Sequence, residues 1–387
     1  MGAALLGVCV LMGCASADRS PMDSLDYDPR LLTAETVFAD PVIPSELPAV
    51  DILAIDGEMR AFVADAVGDV RNSSVRFKRL MRALVEAGYF NGSYYQPGLT
   101  LTSTELFAAR TGNCLSYTTM FIALAREAGL DAGFQIVEVP PSWDADSGFL
   151  IRYTHINALL SGVRGDVTDS GEVSVDFNAV HPDPHYPRRP VSDDDATALF
   201  YSNRSVDRML NGDAVNGFAL LVQALELTPD NADLWQNLGA FYALQQQPAM
   251  AVRAYEVALS LDHHHEGAMS GLSRAYASLG DREQADVYAQ RVHEDRSRNA
   301  YYQFAIAQAE FDDGRFSDAL KSIDAAIDLE RRNPRFRFMK GLVQAKLGDM
   351  EGAKRSFRKA HRLGRYDDLK KRYIEELAGG PAVQPRS

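Results

Sequence analysis

Residues 235–262 read WQNLGAFYALQQQPAMAVRAYEVALSLD. Trp235, Leu238, Gly239 and Tyr242 fall on one face at helical spacing, and Ala251, Tyr255 and Ala258 do the same beyond a polar break, so the stretch predicts two helices joined by a turn. The pattern recurs in both directions. At steps of 34 residues the turn positions are Gly212, Gln246, Gly280, Gly314 and Gly348. Seven residues before each of the last four turns stand Gly239, Ser273, Ala307 and Gly341, small enough for paired helices to approach closely. Five residues after each turn come Gly217, Ala251, Ala285, Ala319 and Ala353, and seven further on Ala224, Ala258, Val292, Ala326 and Ala360. A fixed period of this length over five units implies stacked helix pairs, each burying its face only against its neighbours.

At these signature positions the chain resembles the tetratricopeptide repeat. The resemblance implies an all-α solenoid of five repeats over residues 198–367, followed by a cap helix and tail over 368–387. Its curved array would leave a concave face for a peptide or a protein partner. The basic run 334–372, with 13 Lys/Arg against four acids, is expected to be a solvated face rather than a dedicated docking site. His263-His264-His265 falls at a repeat junction with no nearby cysteine to complete a ligand set, so it is expected to be a solvated turn and not a metal site.

The chain has 387 residues, 46% of them apolar, which exceeds one typical domain and can fill two cores. The net charge of −13 is uneven: residues 1–197 carry 14 Lys/Arg against 27 Asp/Glu, and 198–387 carry 26 of each. An acidic first half excludes nucleic acid as the main partner, because phosphate neutralisation needs a basic face. Three cysteines, Cys9, Cys14 and Cys114, are too few for a disulfide framework.

Between a tether at 15–50, rich in Pro, Asp and Ser, and the repeats, residues 51–190 read as mixed α and β. AIDGEMRAFVADAV and VRFKRLMRALVEAGYF have helical spacing, and SYTTMFIALAREAGL suits a buried helix ended by glycine. GFQIVEV, FLIRYTHINALL and EVSVDFNAV follow as strands. Cys114 stands at the start of the third helix, directly after Gly112-Asn113. There the unpaired N–H groups and the helix dipole favour a thiolate, the nucleophilic form. Such a nucleophile needs a base and a group to orient that base; His155 in YTHIN and Asp176 in VDFN stand on strands that could face it. His181 and His185, in a Pro-rich loop, are alternatives for the base.

The order Cys, His, Asp on helix, strand and strand resembles the transglutaminase-like fold, a relative of the papain-like thiol enzymes, over roughly residues 102–180. GNCLSYTTMFIALAREAGL is similar to the family's cysteine helix, RYTHINALL to its histidine strand and VSVDFN to its aspartate strand. The resemblance implies Cys114 as nucleophile, His155 as base and then acid, and Asp176 as the imidazole orienter. It calls for no metal and no organic cofactor. The tryptophan often found near the aspartate strand is absent, which leaves the Cys114 backbone N–H as half of an oxyanion site and the other half open.

The first residues, MGAALLGVCVLMGCASADRS, hold an apolar run too short to cross a bilayer, suited to a signal-peptide core. Leu11-Met12-Gly13-Cys14 resembles the bacterial lipobox, although Met12 is large for its position; the resemblance implies a lipoprotein-type signal segment over 1–14, cleaved before Cys14 so that the lipidated cysteine becomes the mature N-terminus. Ala15 after it implies outer-membrane sorting. Met1-Gly2 does not read as a myristoylation signal, because Leu6 stands where Ser or Thr is wanted. Taken together, these residues predict a membrane-tethered envelope protein, an α+β thiol domain followed by the solenoid. It would act on peptide or protein amides as peptidase, amidase or transglutaminase. The rival is an inactive adaptor lipoprotein that binds proteins through its repeats.

Overall fold

The computed structural model describes residues 22, 25–40, 42, 48–89, 95–137, 142–144, 149–151, 155–163, 171–177 and 186–363, with backbone alone at 142–144 and 149–151. Cys9, Cys14, His181, His185 and the expected cap helix at 368–387 lie outside the described residues. No described helix is long and apolar enough to cross a membrane. The chain divides into two compact units, residues 1–48 with 197–275 and residues 49–196 with 276–387. The units meet at 48/49, 196/197 and 275/276, so each unit holds repeat helices.

Among the described residues, ten consecutive helices carry the period: α5 (Asp193–Leu210), α6 (Ala214–Leu227), α7 (Ala232–Leu244), α8 (Pro248–Leu261), α9 (Glu266–Leu279), α10 (Arg282–Ser297), α11 (Ala300–Asp312), α12 (Phe316–Leu329), α13 (Pro334–Lys346) and α14 (Met350–Leu363). The turn inside each pair is left-handed at the position read from the sequence: φ is +82° at Gly212, +56° at Gln246, +83° at Gly280, +75° at Gly314 and +85° at Gly348. Glycine tolerates that backbone and a residue with a Cβ resists it, which is why four of the five are glycine. The small positions have a steric cause as well. A Cβ on Gly239 would stand 2.5 Å from the Tyr255 ring, and one on Gly341 2.5 Å from Phe357.

In the first unit residues 25–40, part of the expected tether, are instead packed. Leu31, on a 3-10 turn at Pro29–Leu32, and Ala34 are fully buried. Tyr27 lies 5.4 Å from Trp235, and Phe38 lies 6.2 Å from both Phe218 and Phe241. Tyr242 donates its hydroxyl hydrogen to the carbonyl of Leu31 at 2.9 Å, and Asp28 pairs with Arg253. Sparse periodicity hid this, because an irregular strap contributes aromatic and aliphatic anchors singly rather than on a helical face. His265 departs from expectation too. It is buried, its Nδ1 accepts the Ala268 N–H at 3.1 Å as the N-cap of α9, and its Nε2 meets Asp233 at 3.0 Å. No group of His, Cys, Asp and Glu suited to a metal occurs among the described residues.

In the second unit, α1 (Gly57–Val67), α2 (Ser73–Glu86) and α3 (Ser103–Ala109) precede α4 (Cys114–Glu127), whose residues 115–125 are all buried. A four-stranded antiparallel sheet follows in the order β5-β4-β1-β6, formed by β1 (Asp131–Val137), β4 (His155–Ser161), β5 (Glu172–Val175) and β6 (Arg188–Val191). β2 (Ser142–Asp144) and β3 (Phe149–Ile151) pair separately, so FLIRYTHINALL is split between β3 and β4. β6 was not anticipated; its RRPV sequence has no alternation. Just before it, Tyr186 meets Tyr301 of α11 at 6.3 Å and its hydroxyl takes a hydrogen bond from Arg335 of α13. The repeat core of this unit centres on Phe304, Ile323 and Phe336.

Candidate active site

The turn before Cys114 is fixed by sequence-local chemistry. Thr102 and Glu105 form a capping box that starts α3, and α3 ends on Arg110 at φ +58°. The carbonyl of Arg110 accepts the Tyr117 hydroxyl at 3.0 Å, which ties the turn to α4. A Cβ on Gly112 would fall 2.8 Å from Leu106 Cδ1 and 3.1 Å from Ser116 Cβ, so the glycine is there for space. Asn113 caps α4: its Oδ1 accepts the Ser116 N–H at 3.1 Å, while its Nδ2 donates to Thr100 Oγ1 at 2.6 Å. Cys114 is thereby set on the first turn of a rigid buried helix and remains half-buried itself.

The structure brings the three sequence-derived residues together. His155 opens β4 and is 5% exposed, and its Nε2 lies 2.7 Å from Asp176 Oδ2. That contact leaves Nδ1 as the ring nitrogen free to face Cys114, whose side chain helps raise the imidazole pKa. Thr118 of α4 donates to the Ile156 carbonyl at 3.3 Å and so fixes β4 against the cysteine helix. Phe177, next to Asp176, packs on Phe121 at 5.3 Å and stacks near Tyr117, and holds the end of β5 to the same helix. Burial is the largest influence on the imidazole and opposes its charge. The hydrogen bonds to Asp176 and Cys114, together with their charges, outweigh it and raise the His155 pKa to about 9. The ring is therefore a cation through neutral pH.

One participant was missed. Tyr95 forms an isolated parallel bridge with Gly112, and the next residue, Gln96, donates its N–H to the Gly112 carbonyl at 3.0 Å. This registers Tyr95 beside the helix start, where its phenol lies within electrostatic reach of the side chain and the backbone of Cys114. Burial first, then the charges of Cys114 and Asp176, push its pKa up to about 12, so the phenol keeps its proton at neutral pH. The signal in the sequence was only an aromatic pair, Tyr94-Tyr95, ahead of a Pro-Gly turn. A separate shallow concavity lined by Arg60, Val63, Asp69, Arg76 and Glu127 lies at the other end of α4, about 20 Å along the helix, and has no part in this chemistry.

Family comparison matches the tetratricopeptide repeat at residues 220–253 and again at 304–368. The C-terminal half carries tetratricopeptide repeats. No curated protein matches the chain. Among solved structures, MamA is 18% identical, covering 49% of this chain and 98% of its own, at a TM-score of 0.25. YrrB, described as a TPR protein with an unusual peptide-binding site, is 19% identical, covering 46% of this chain and 92% of its own, at 0.24. A thermophilic TPR protein of Thermus thermophilus is 20% identical, covering 47% and 99%, at 0.26. Tetratricopeptide arrays present helix faces to other chains, so a role in protein–protein interaction follows from the repeats.

Proposed function

We propose that this is a protein-binding tetratricopeptide-repeat protein that also carries a thiol acyl-transfer site of transglutaminase-like type. Cys114 is the nucleophile, His155 the base and then the acid, and Asp176 the group that orients the imidazole. The supporting observation is the 2.7 Å contact between His155 and Asp176, with the helix-start Cys114 close enough to influence the same ring. In this reading the Cys114 sulfur, its proton held on His155, attacks an amide carbonyl. A C–S bond forms and the C=O pair moves to oxygen. When the carbonyl re-forms, the C–N bond breaks and His155 gives its proton to the leaving amine. Water or a second amine then attacks the thioester, passing its proton to His155 and returning the sulfur. The repeats recruit the peptide or protein that carries the amide.

The adaptor is the second reading, and the comparisons favour it, since the matched families are repeats and what they support is binding. One assay separates the two. The full chain is incubated with a glutamine-containing casein and a fluorescent primary amine, and amine incorporation is compared with peptide release. Either activity, abolished by Cys114→Ala and by His155→Ala, supports the enzyme. Activity that survives Cys114→Ala removes the assignment, and no activity with intact partner binding leaves the adaptor.

The envelope placement is part of the same proposal and rests on the sequence of the first residues: Cys14 is lipidated and anchors the protein in the outer membrane, facing the periplasm. Mass spectrometry of the N-terminal peptide decides it, and an unmodified terminus would remove the anchor without touching the repeats.

A further inference from the structure

We propose that Tyr95 is a catalytic residue: its phenolic O–H is the second donor, with the Cys114 backbone N–H, to the oxyanion formed at Cys114. The proposal rests on the acyl-transfer reading and names the half of the oxyanion site that the sequence left open. Three observations carry it. Backbone pairing registers Tyr95 to Gly112, two residues before the nucleophile, and the adjoining pairs Gln96 N–H to Gly112 O at 3.0 Å and Asn113 N–H to Leu99 O at 2.9 Å hold the two segments in that register. The phenol lies within electrostatic reach of the side chain and the backbone of Cys114. The tryptophan that the resemblance leads one to expect near the aspartate strand is absent from that stretch of sequence, where the aromatic residue, Phe177, has no donor.

The geometry gives the hydroxyl two positions in one cycle. Without substrate the phenol stands close to both the backbone and the sulfur of Cys114. An incoming carbonyl oxygen meets the Cys114 N–H, and the phenol turns its hydrogen to that oxygen as negative charge develops on it. The donor is placed before the reaction begins, so little reorganisation accompanies charge formation. Burial and the facing charges of Cys114 and Asp176 keep the phenol protonated, which a donor requires.

The test uses the full chain and two probes that differ in whether an oxyanion forms. p-Nitrophenyl acetate acylates a thiol through a tetrahedral oxyanion: the C–S bond forms, the C=O pair moves to oxygen and back, and the C–O bond breaks to release p-nitrophenolate. Iodoacetamide alkylates the same sulfur by displacing iodide, with no oxyanion. Tyr95→Phe keeps the ring and removes the hydroxyl. The expected result is a fall of about 100-fold in the Cys114-dependent burst of p-nitrophenolate, with iodoacetamide alkylation no slower than in the wild type. Equal acylation rates, within about threefold, would overturn the role of Tyr95 while leaving Cys114 as nucleophile. Equal losses with both probes would also overturn it, since that is the signature of a residue that merely packs the site. A wild-type protein that gives no burst beyond Cys114→Ala would overturn the acyl-transfer reading, and the proposal with it.

Discussion

Replacing Asp176 by Asn removes the charge that faces His155 Nε2 at 2.7 Å while keeping a side chain of the same shape. In the folded protein the imidazole titrates near 9 against about 6.5 in an unfolded chain. That gap corresponds to about 3 kcal/mol, shared between Asp176 and Cys114. Because the folded value is the higher one, this stabilisation is fully present below about pH 6.5 and is lost as the pH rises through about 9. Asp176→Asn should cancel most of it, because burial, the largest single influence on the ring, is then opposed only by Cys114. The measurement is a titration of the His155 ring by NMR in protein carrying labelled histidine, with the resonance assigned by its loss in His155→Gln. In the wild type the midpoint should lie near 9, and in Asp176→Asn it should fall by more than roughly one pH unit. A midpoint in the Asn variant that stays within about half a unit of the wild type would refute the argument that Asp176 holds the imidazolium.

Four further outcomes follow from named contacts. Gln246→Gly should stabilise the second repeat by about 1 kcal/mol in urea unfolding, because φ +56° strains a side chain that glycine lacks; a loss would show that Gln246 contributes through contacts instead. Leu31→Ala should cost about 3 kcal/mol and lower the thermal midpoint of the repeats, and an unchanged midpoint would return the strap to the status of a tether. Gly112→Ala should slow iodoacetamide alkylation of Cys114 and cost about 1–3 kcal/mol, since its Cβ would press on Leu106 and Ser116; a neutral result would mean that the turn relaxes freely. His265→Ala should destabilise by about 1 kcal/mol through loss of the α9 cap, detectable as faster amide exchange at Ala268.

The repeats were legible because their determinants are local and recur. A left-handed turn selects Gly212, Gly280, Gly314 and Gly348, and close helix pairs select Gly239 and Gly341, wherever the chain lies in space. Cys114, His155 and Asp176 could be named from the sequence for a related reason: each stands at the start or end of a regular element whose period is readable. The contact of 2.7 Å between His155 and Asp176 could not be read, because it depends on the antiparallel register of β4 and β5. Tertiary structure alone decided the rest. Tyr95 reaches Cys114 through one backbone bridge across a segment without periodicity, β6 forms from a sequence without alternation, and residues 25–40 bury Leu31 and Phe38 one anchor at a time. Such contacts join irregular backbone to distant elements, and irregular backbone leaves no repeat in the sequence by which to find its partner.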